Sequence, residues 1–312
     1  MALDSLSILI PARNEMFLVK TVEDVLAKKQ GKTDVIVVLD GAWSDPGLNQ
    51  HKDVTVVRTP RPIGQRAATN LAARLSSADF VMKLDAHCSM DEGFDVKLMA
   101  SAKELGPLVT QVPSQWNLHA FDWRCRNCDF LKDQGPTPKC GCDKPDVYRD
   151  MVWARRRLSE AWRFDSHLKF GYFGGLKDRA DAKDGKGPYL ETMSCLGACW
   201  FLGHERYWEL GGMDENHGSW GQMGTELACK SWLSGGKLVT NRTTWFAHMF
   251  RTQGGDFGFP YPLSADDVNT AREYSQDTWR NNKWSGQVHS LKWLVEKFWP
   301  IPGWTQEELD AL

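Results

Sequence analysis

Residues 79–87 read DFVMKLDAH: an apolar strand, 79–84, whose end delivers Asp85 and His87 to one turn. An Asp and a His separated by one residue can face the same side and hold a divalent cation, which can bridge the two phosphates of a nucleotide diphosphate. Alone, an Asp at a strand end is more often a helix cap, so the neighbourhood decides. Upstream, 64–77 (GQRAATNLAARLSS) has helical spacing, 53–58 (DVTVVR) reads as a strand, and 35–39 (VIVVL) is an apolar run closed by Asp40-Gly41. Before that, Phe17, Val19, Val22, Val25 and Leu26 give 16–30 a helical period, and 6–10 (LSILI) is another apolar run, stopped by Pro11. Strands apolar on both faces, alternating with amphipathic helices, predict a parallel sheet covered on two sides. The expected fold class is doubly wound α/β, with ligands at the carboxyl ends of the strands.

Downstream, 92–105 has helical spacing and 107–112 reads as a strand. From 113 to 150 the period is lost in a stretch rich in Cys, Pro, Lys and Asp, which predicts an irregular insertion. Residues 151–163 (MVWARRRLSEAWR) predict a basic amphipathic helix, and 174–188 a mobile surface loop. Strands at 195–202 and 237–240, helices at 204–210 and 224–234, and a helical, Trp-rich tail from 265 complete the reading. No Pro/Gly/Ser-rich linker divides the chain, so 1–312 is expected to be one domain. Its parts are a nucleotide-binding half (1–112), an insertion (113–190), a second site-bearing half (191–264) and a helical tail (265–312).

A formal net charge of −2 excludes a uniformly basic nucleic-acid coat but leaves room for a local basic patch. No window of 18 apolar residues exists, and MALDSLSILIPARNE lacks the basic n-region of a signal peptide. No membrane partner is therefore expected, and the expected compartment is the cytoplasm, a host's if the source is viral. Thiols stay reduced there, so the eight Cys are expected free or metal-bound. Cys125-x-x-Cys128 followed by Cys140-Gly-Cys142 can supply four thiolates to one structural Zn²⁺, with two disulfides or incidental thiols as the alternatives. Cys88, Cys195, Cys199 and Cys229 lie in apolar surroundings and read as buried thiols. Arg155-Arg156-Arg157, with Trp153, Trp162 and Arg163 and with Lys132, Lys139 and Lys144 in the insertion, can track a phosphate backbone and stack bases. The plainer reading is a solvated helix face.

His248, in TTWFAHMFR, is the natural third ligand beside Asp85 and His87; a core histidine is the alternative. Three blocks then carry a resemblance. The run 58–91, RTPRPIGQRAATNLAARLSSADFVMKLDAHCSMD, resembles the donor-binding half of family-2-like glycosyltransferases of the GT-A fold. Its DxH variant is most similar to the polypeptide N-acetylgalactosaminyltransferases. Residues 195–236, CLGACWFLGHERYWELGGMDENHGSWGQMGTELACKSWLSGG, resemble their second block, and 245–251, WFAHMFR, their H-x-F-R segment. The resemblance covers roughly 6–100 and 193–262.

It implies a Rossmann-like, mostly parallel sheet with flanking helices, a nucleotide-sugar donor carrying UDP, and Mn²⁺ or Mg²⁺ as cofactor. By the same resemblance Pro11, Arg13 and Glu15 touch the nucleotide, Asp40 recognises the base, and Arg66 precedes the metal motif. Asp85, His87 and His248 hold the cation, Trp220 and Glu226 face sugar and acceptor, and Arg251 closes over the diphosphate. The chain departs from the pattern at WGQMG, where Met223 replaces an acid. An inverting reaction needs a carboxylate base, for which Asp214 and Glu226 are the candidates. A retaining one, as in the enzymes it resembles, can pass the proton to a donor phosphate oxygen, and both remain open. Neither a membrane anchor nor a lectin segment is read in the chain, so an acceptor other than a secreted polypeptide is expected. Similarity to phage-encoded transferases points to hydroxymethylated pyrimidine in duplex DNA, with a glycan or glycolipid as rival. A reading of another class is a non-catalytic nucleic-acid-binding module on a degenerate transferase fold.

Overall fold

The structure, a computed structural model, describes residues 4–182, 185–218, 220–251, 258–259 and 261–312. The chain begins with β1 (Ser5–Ala12), α1 (Leu18–Lys28), β2 (Lys32–Leu39), β3 (Val54–Arg58), α2 (Gln65–Leu75), β4 (Phe80–Leu84), β5 (Cys88–Met90) and α3 (Phe94–Leu105). Then come β6 (Val109–Cys125), β7 (Cys128–Asp133), β8 (Val147–Ser159), β9 (Trp162–Phe164), β10 (Phe170–Tyr172), β11 (Tyr189–Glu191) and β12 (Cys199–Gly203). The last part holds α4 (His204–Glu209), α5 (Met223–Leu233), β13 (Lys237–His248), α6 (Ala265–Arg280), α7 (Leu291–Phe298) and α8 (Gln306–Asp310). No described helix is long and apolar enough to cross a membrane.

The main sheet runs β11-β13-β6-β12-β4-β1-β2-β3, with β5 on β13 and β7 and β8 on β6. β3, β2, β1 and β4 are parallel, as their apolar runs predict. Leu6, Ile8, Ile10, Val35, Val37 and Val81 are wholly buried between helices on the two faces. The sheet as a whole is mixed rather than mostly parallel, because β12 lies antiparallel between β4 and β6. Two reversals restore direction, so β6 and β13, parallel to each other, run the same way as β4. The carboxyl ends of β1, β2, β4 and β13 therefore open on one edge of the sheet, and that geometry gathers the site.

Two expectations are corrected. Residues 113–150 are irregular only over 134–146: β6 continues to Cys125, and β7 and β8 pair with it antiparallel. Nor is 151–163 a helix; its first nine residues belong to β8. Met, Ala, Arg and Leu favour helix intrinsically, but backbone pairing with β6 from Gln115 to Cys125 overrides that weak preference. The hairpin makes its own apolar cluster, in which Leu118, Phe121 and Trp123 pack with Phe17 and Met249. Of 174–188, Leu176–Asp178 form a 3-10 turn, and residues 183 and 184 lie outside the described residues.

Candidate active site

β4 places the site's first ligand. Asp85 N donates to Ala198 O at 2.8 Å, which continues the β4–β12 ladder one residue past the strand and fixes the turn. His87 follows, and β5 starts immediately after it by pairing Cys88 with His248, the last residue of β13. That pairing brings the two imidazoles side by side, with ring centroids 4.9 Å apart. Asp85 Oδ2 lies 3.2 Å from His248 Nε2 and 3.8 Å from His87 Nε2. One donor atom from each residue lies within 4.8 Å of the others.

His87 Nδ1 faces Glu15 Oε2 at 3.1 Å. A carboxylate there takes the N–H and leaves Nε2 with its lone pair toward Asp85, the arrangement of a metal-ligating histidine. The other Glu15 oxygen accepts from Arg251 Nη2, and Arg251 Nη1 donates to Gly258 O at 2.9 Å. Burial by itself would raise Glu15, but His87 and Arg251 outweigh it and hold the carboxyl below its usual range. Asp85, which burial would also raise, is held far lower still by the Lys83 ammonium and His248. Burial pushes His248 down to about 4, so its ring is neutral near pH 7. The ionised Asp85 carboxylate and the neutral His248 ring, with His87 Nε2 beside them, suit a borderline divalent cation such as Mn²⁺.

The ligands sit in the wall of a cavity of about 460 Å³. Pro11, Arg13, Glu15 and Asp40 line the end formed by β1 and β2, and Trp220, Gln222, Met223 and Thr225 the end formed by α5. Phe250, Phe259 and Tyr261 close it from the segment after β13. Trp220 meets Phe259 edge-on at 5.3 Å, and Arg13 lies 5.4 Å from the Tyr261 ring. Asp40 is buried, with Oδ1 accepting from Ile63 N at 2.6 Å and Oδ2 from Gly64 N at 3.1 Å. Its carboxylate thus shapes the loop that starts α2 while its residue lines the cavity.

Three expected site residues lie elsewhere. Arg66 and Glu226 do not line the cavity; both are buried behind it, with Arg66 Nε to Glu226 Oε2 at 2.8 Å. Arg66 also donates to Gly221 O at 2.6 Å, and Glu226 Oε1 accepts from Lys230 Nζ at 2.9 Å and from Asp214 N. Asp214 is likewise outside the lining, and its Oδ2 accepts from Tyr274 OH at 2.8 Å. These groups hold the turn that presents Trp220; the carboxylates lining the cavity among the described residues are Glu15, Asp40 and Asp85.

Lys83 and Gln65 are site residues that sequence reasoning missed. Gln65 Nε2 donates to Asp85 Oδ1 at 3.2 Å, and Lys83 Nζ to the same oxygen. A lysine inside an otherwise apolar buried strand was the available signal, because a buried charge demands a partner. Gly224 was also missed: a Cβ there would lie 2.0 Å from Cys195 O, so α5 approaches the 195–198 wall only through glycine.

On the hairpin, the four thiols converge. Cys125 Sγ lies 3.8 Å from Cys142 Sγ, and Cys140 Sγ lies 3.3 Å from Cys128 Sγ and 3.5 Å from Cys142 Sγ. All eight cysteines are free, and Cys88, Cys195, Cys199 and Cys229 are buried as expected. Backbone N–H groups of Asp146 and Asn127 pull Cys125 down to about 6. The basic run stands on β8. Arg155 stacks between Trp116 and Trp245, at 4.9 and 4.5 Å, while Arg156 pairs with Asp133 at 2.7 Å.

Fold and cavity define an α/β protein whose parallel strands end at an Asp–His–His cluster. The family model for Glycosyl transferase family 2 matches residues 7–162, half of the chain, and the protein belongs to that family. Among curated relatives, it is 22% identical to "Probable N-acetylgalactosaminyltransferase 6" of Caenorhabditis elegans, over 94% of this chain and 46% of that protein. It is 23% identical to "Polypeptide N-acetylgalactosaminyltransferase 3" of Drosophila melanogaster, over 89% of this chain and 40% of that one. The chain thus spans less than half the length of either relative. Among solved structures, GalNAc-T7 with UDP, GalNAc and Mn²⁺ superposes at a TM-score of 0.63, with 18% identity, over 90% of this chain and 49% of that one. S. aureus TarS 1-349 with UDP-GlcNAc superposes at 0.50, with 10% identity, over 86% and 64%. At these identities the likeness is one of fold.

Proposed function

We propose that the protein transfers a sugar from a UDP-sugar to an acceptor hydroxyl with a divalent cation bound by Asp85, His87 and His248. The observation that carries this is the convergence of those three side chains, from β4 and β13, inside the cavity at the strand ends. GalNAc-T7, similar in fold, binds UDP, GalNAc and Mn²⁺. A cation there neutralises charge growing on the leaving diphosphate. Arg13 and Arg251, both in the cavity lining, add guanidinium charge on the same side, and Glu15 orients His87 and Arg251 together. Trp220, Met223 and the glycine-lined wall of Gly197 and Gly224 form the sugar end.

In the reaction the bond from the anomeric carbon to the diphosphate breaks, a bond to the acceptor oxygen forms, and the hydroxyl proton must leave. The three carboxylates in the lining are committed, Glu15 to His87 and Arg251, Asp40 to backbone amides and Asp85 to the cation. We therefore assign the proton to a donor phosphate oxygen rather than to Asp214 or Glu226. Four sulfurs about 3.8 Å apart are what a tetrahedral ion with metal–sulfur bonds of about 2.3 Å requires, so the Cys125, Cys128, Cys140 and Cys142 cluster is assigned to a structural Zn²⁺.

For the acceptor we propose hydroxymethylated pyrimidine in duplex DNA. Placement supports it: His248 pairs with Asn117 of β6, and on the other side of β6 the β8 residues Arg155 and Leu158 pair with Leu118 and Trp116, two strand spacings or about 10 Å away. Charge favours the rival, a glycan or glycolipid, because Arg124, Arg126 and Arg156 are each paired with an Asp. The test is UDP release from a panel of UDP-sugars with Mn²⁺, with and without hydroxymethylated DNA, and with Asp85→Ala as control. Release that needs Asp85 and rises with the modified DNA supports both parts. Release indifferent to DNA moves the acceptor to glycans, and no release from folded, Mn²⁺-loaded protein overturns the transferase reading.

A further inference from the structure

We propose that Lys83 is a positioning residue that withholds one oxygen of Asp85 from the cation and so ties cation binding to the arrival of the nucleotide diphosphate. The inference rests on the cation site assigned above. Lys83 and Asp85 are two residues apart along the β4 direction and project to one face. Lys83 is wholly buried, between Met82 and Leu84, which are also wholly buried. Its ammonium donates to Asp85 Oδ1 and to Gly197 O, the latter at 2.7 Å. Gln65 Nε2 adds a second side-chain donor to Asp85 Oδ1. One oxygen of Asp85 is therefore occupied from inside the protein, and only Oδ2 faces the two imidazoles.

The consequence is electrostatic. The Asp85 and Glu15 carboxylates each meet a cation, the Lys83 ammonium and the Arg251 guanidinium, so these four side chains carry no net negative charge between them. A divalent cation entering alone meets a buried ammonium on its own carboxylate ligand. A nucleotide diphosphate brings the missing negative charge, and the cation then binds between two anions. Lys83 also donates to Gly197, on the sugar-side wall, and so couples the ligand carboxylate to the glycine contact with α5.

The test is Mn²⁺ titration followed by electron paramagnetic resonance, on the whole chain and on Lys83→Gln, each with and without UDP. Gln removes the charge and keeps a donor for Gly197 O. Without UDP the variant is expected to bind Mn²⁺ about tenfold or more tighter than the unaltered protein. With UDP the gap should shrink. Equal or weaker Mn²⁺ affinity in folded Lys83→Gln overturns the proposal, even where UDP-dependent Mn²⁺ binding shows the cation site itself to be right. Should the variant not fold, as judged by thermal unfolding, the unaltered protein decides: UDP must tighten Mn²⁺ by about tenfold or more, and a smaller change overturns the role. Failure of both proteins to bind Mn²⁺ under any condition overturns the cation site, and Lys83's role with it.

Discussion

Arg66 Nε and Glu226 Oε2, 160 residues apart in sequence, meet at 2.8 Å with neither side chain open to solvent. The pair joins α2 to α5, and Arg66 also grips Gly218 O and Gly221 O, which bracket the turn carrying Trp220. Glu226→Ala would leave both Arg66 and Lys230 buried without their carboxylate. Loss of about 3–5 kcal/mol is expected in urea unfolding, with a raised donor KM from the loosened Trp220 turn. A loss below about 1 kcal/mol would show that the cluster tolerates the gap.

The same residue sets an acid limb of stability. Burial would raise Glu226, but Lys230 and Arg66 outweigh it and bring the carboxyl down from its ordinary 4.5 to about 2. A group with a depressed folded value favours the folded state above its unfolded value. That contribution is therefore intact above about 4.5 and is lost as pH falls toward about 2. Unfolding midpoints measured across this window should drop steeply in the unaltered protein and more shallowly in Glu226→Gln.

At the cation site, His248→Ala is expected to lower kcat/KM for UDP release at least about a hundredfold while leaving the unfolding midpoint little changed. Asp85→Ala should lower kcat/KM as much and also lower the midpoint, because the buried Lys83 ammonium loses its carboxylate. Glu15→Gln, which weakens the support behind His87 Nδ1, should reduce Mn²⁺ affinity by about 10–100-fold. Full Mn²⁺ affinity in Glu15→Gln would remove Glu15 from the site's function.

For the hairpin, the protein is expected to hold one zinc that Cys142→Ser or Cys125→Ser releases, measured by metal analysis after dialysis. Loss of the ion should lower the unfolding midpoint and leave Mn²⁺ binding in place, since the cluster shares no residue with the cavity lining. Unchanged zinc content in both variants would defeat the assignment.

Gly224→Ala places a methyl group 2.0 Å from Cys195 O, a backbone atom that cannot swing aside. Overpacking of this kind costs about 1–3 kcal/mol. Because Gly224 and Cys195 both line the cavity, the shift should also raise the donor KM, read from steady-state UDP release.

Sequence by itself determined the first four parallel strands, the helices between them and the strand-end turn bearing Asp85 and His87. Those features are local: apolar runs, helical period and turn residues report on the few neighbours that each position must satisfy. It also offered one cluster for the four insertion cysteines, beside two disulfides or incidental thiols, and the fold of the hairpin brought the two pairs together. Only the tertiary structure decided the state of residues 151–159, since a run of helix-favouring residues becomes a strand when β6 offers a ladder to pair with. The same holds for Arg66, Asp214 and Glu226, whose types suit a catalytic pocket and a buried ion cluster equally well. Which they join depends on whether α2 and α5 turn those faces toward the cavity or toward each other, and here they face each other. Lys83 stood in plain view as a charge in an apolar strand, but its partner could be named only once β4 and the 195–198 wall were side by side. A buried charge announces that a partner exists, whereas its identity is a matter of distance in three dimensions.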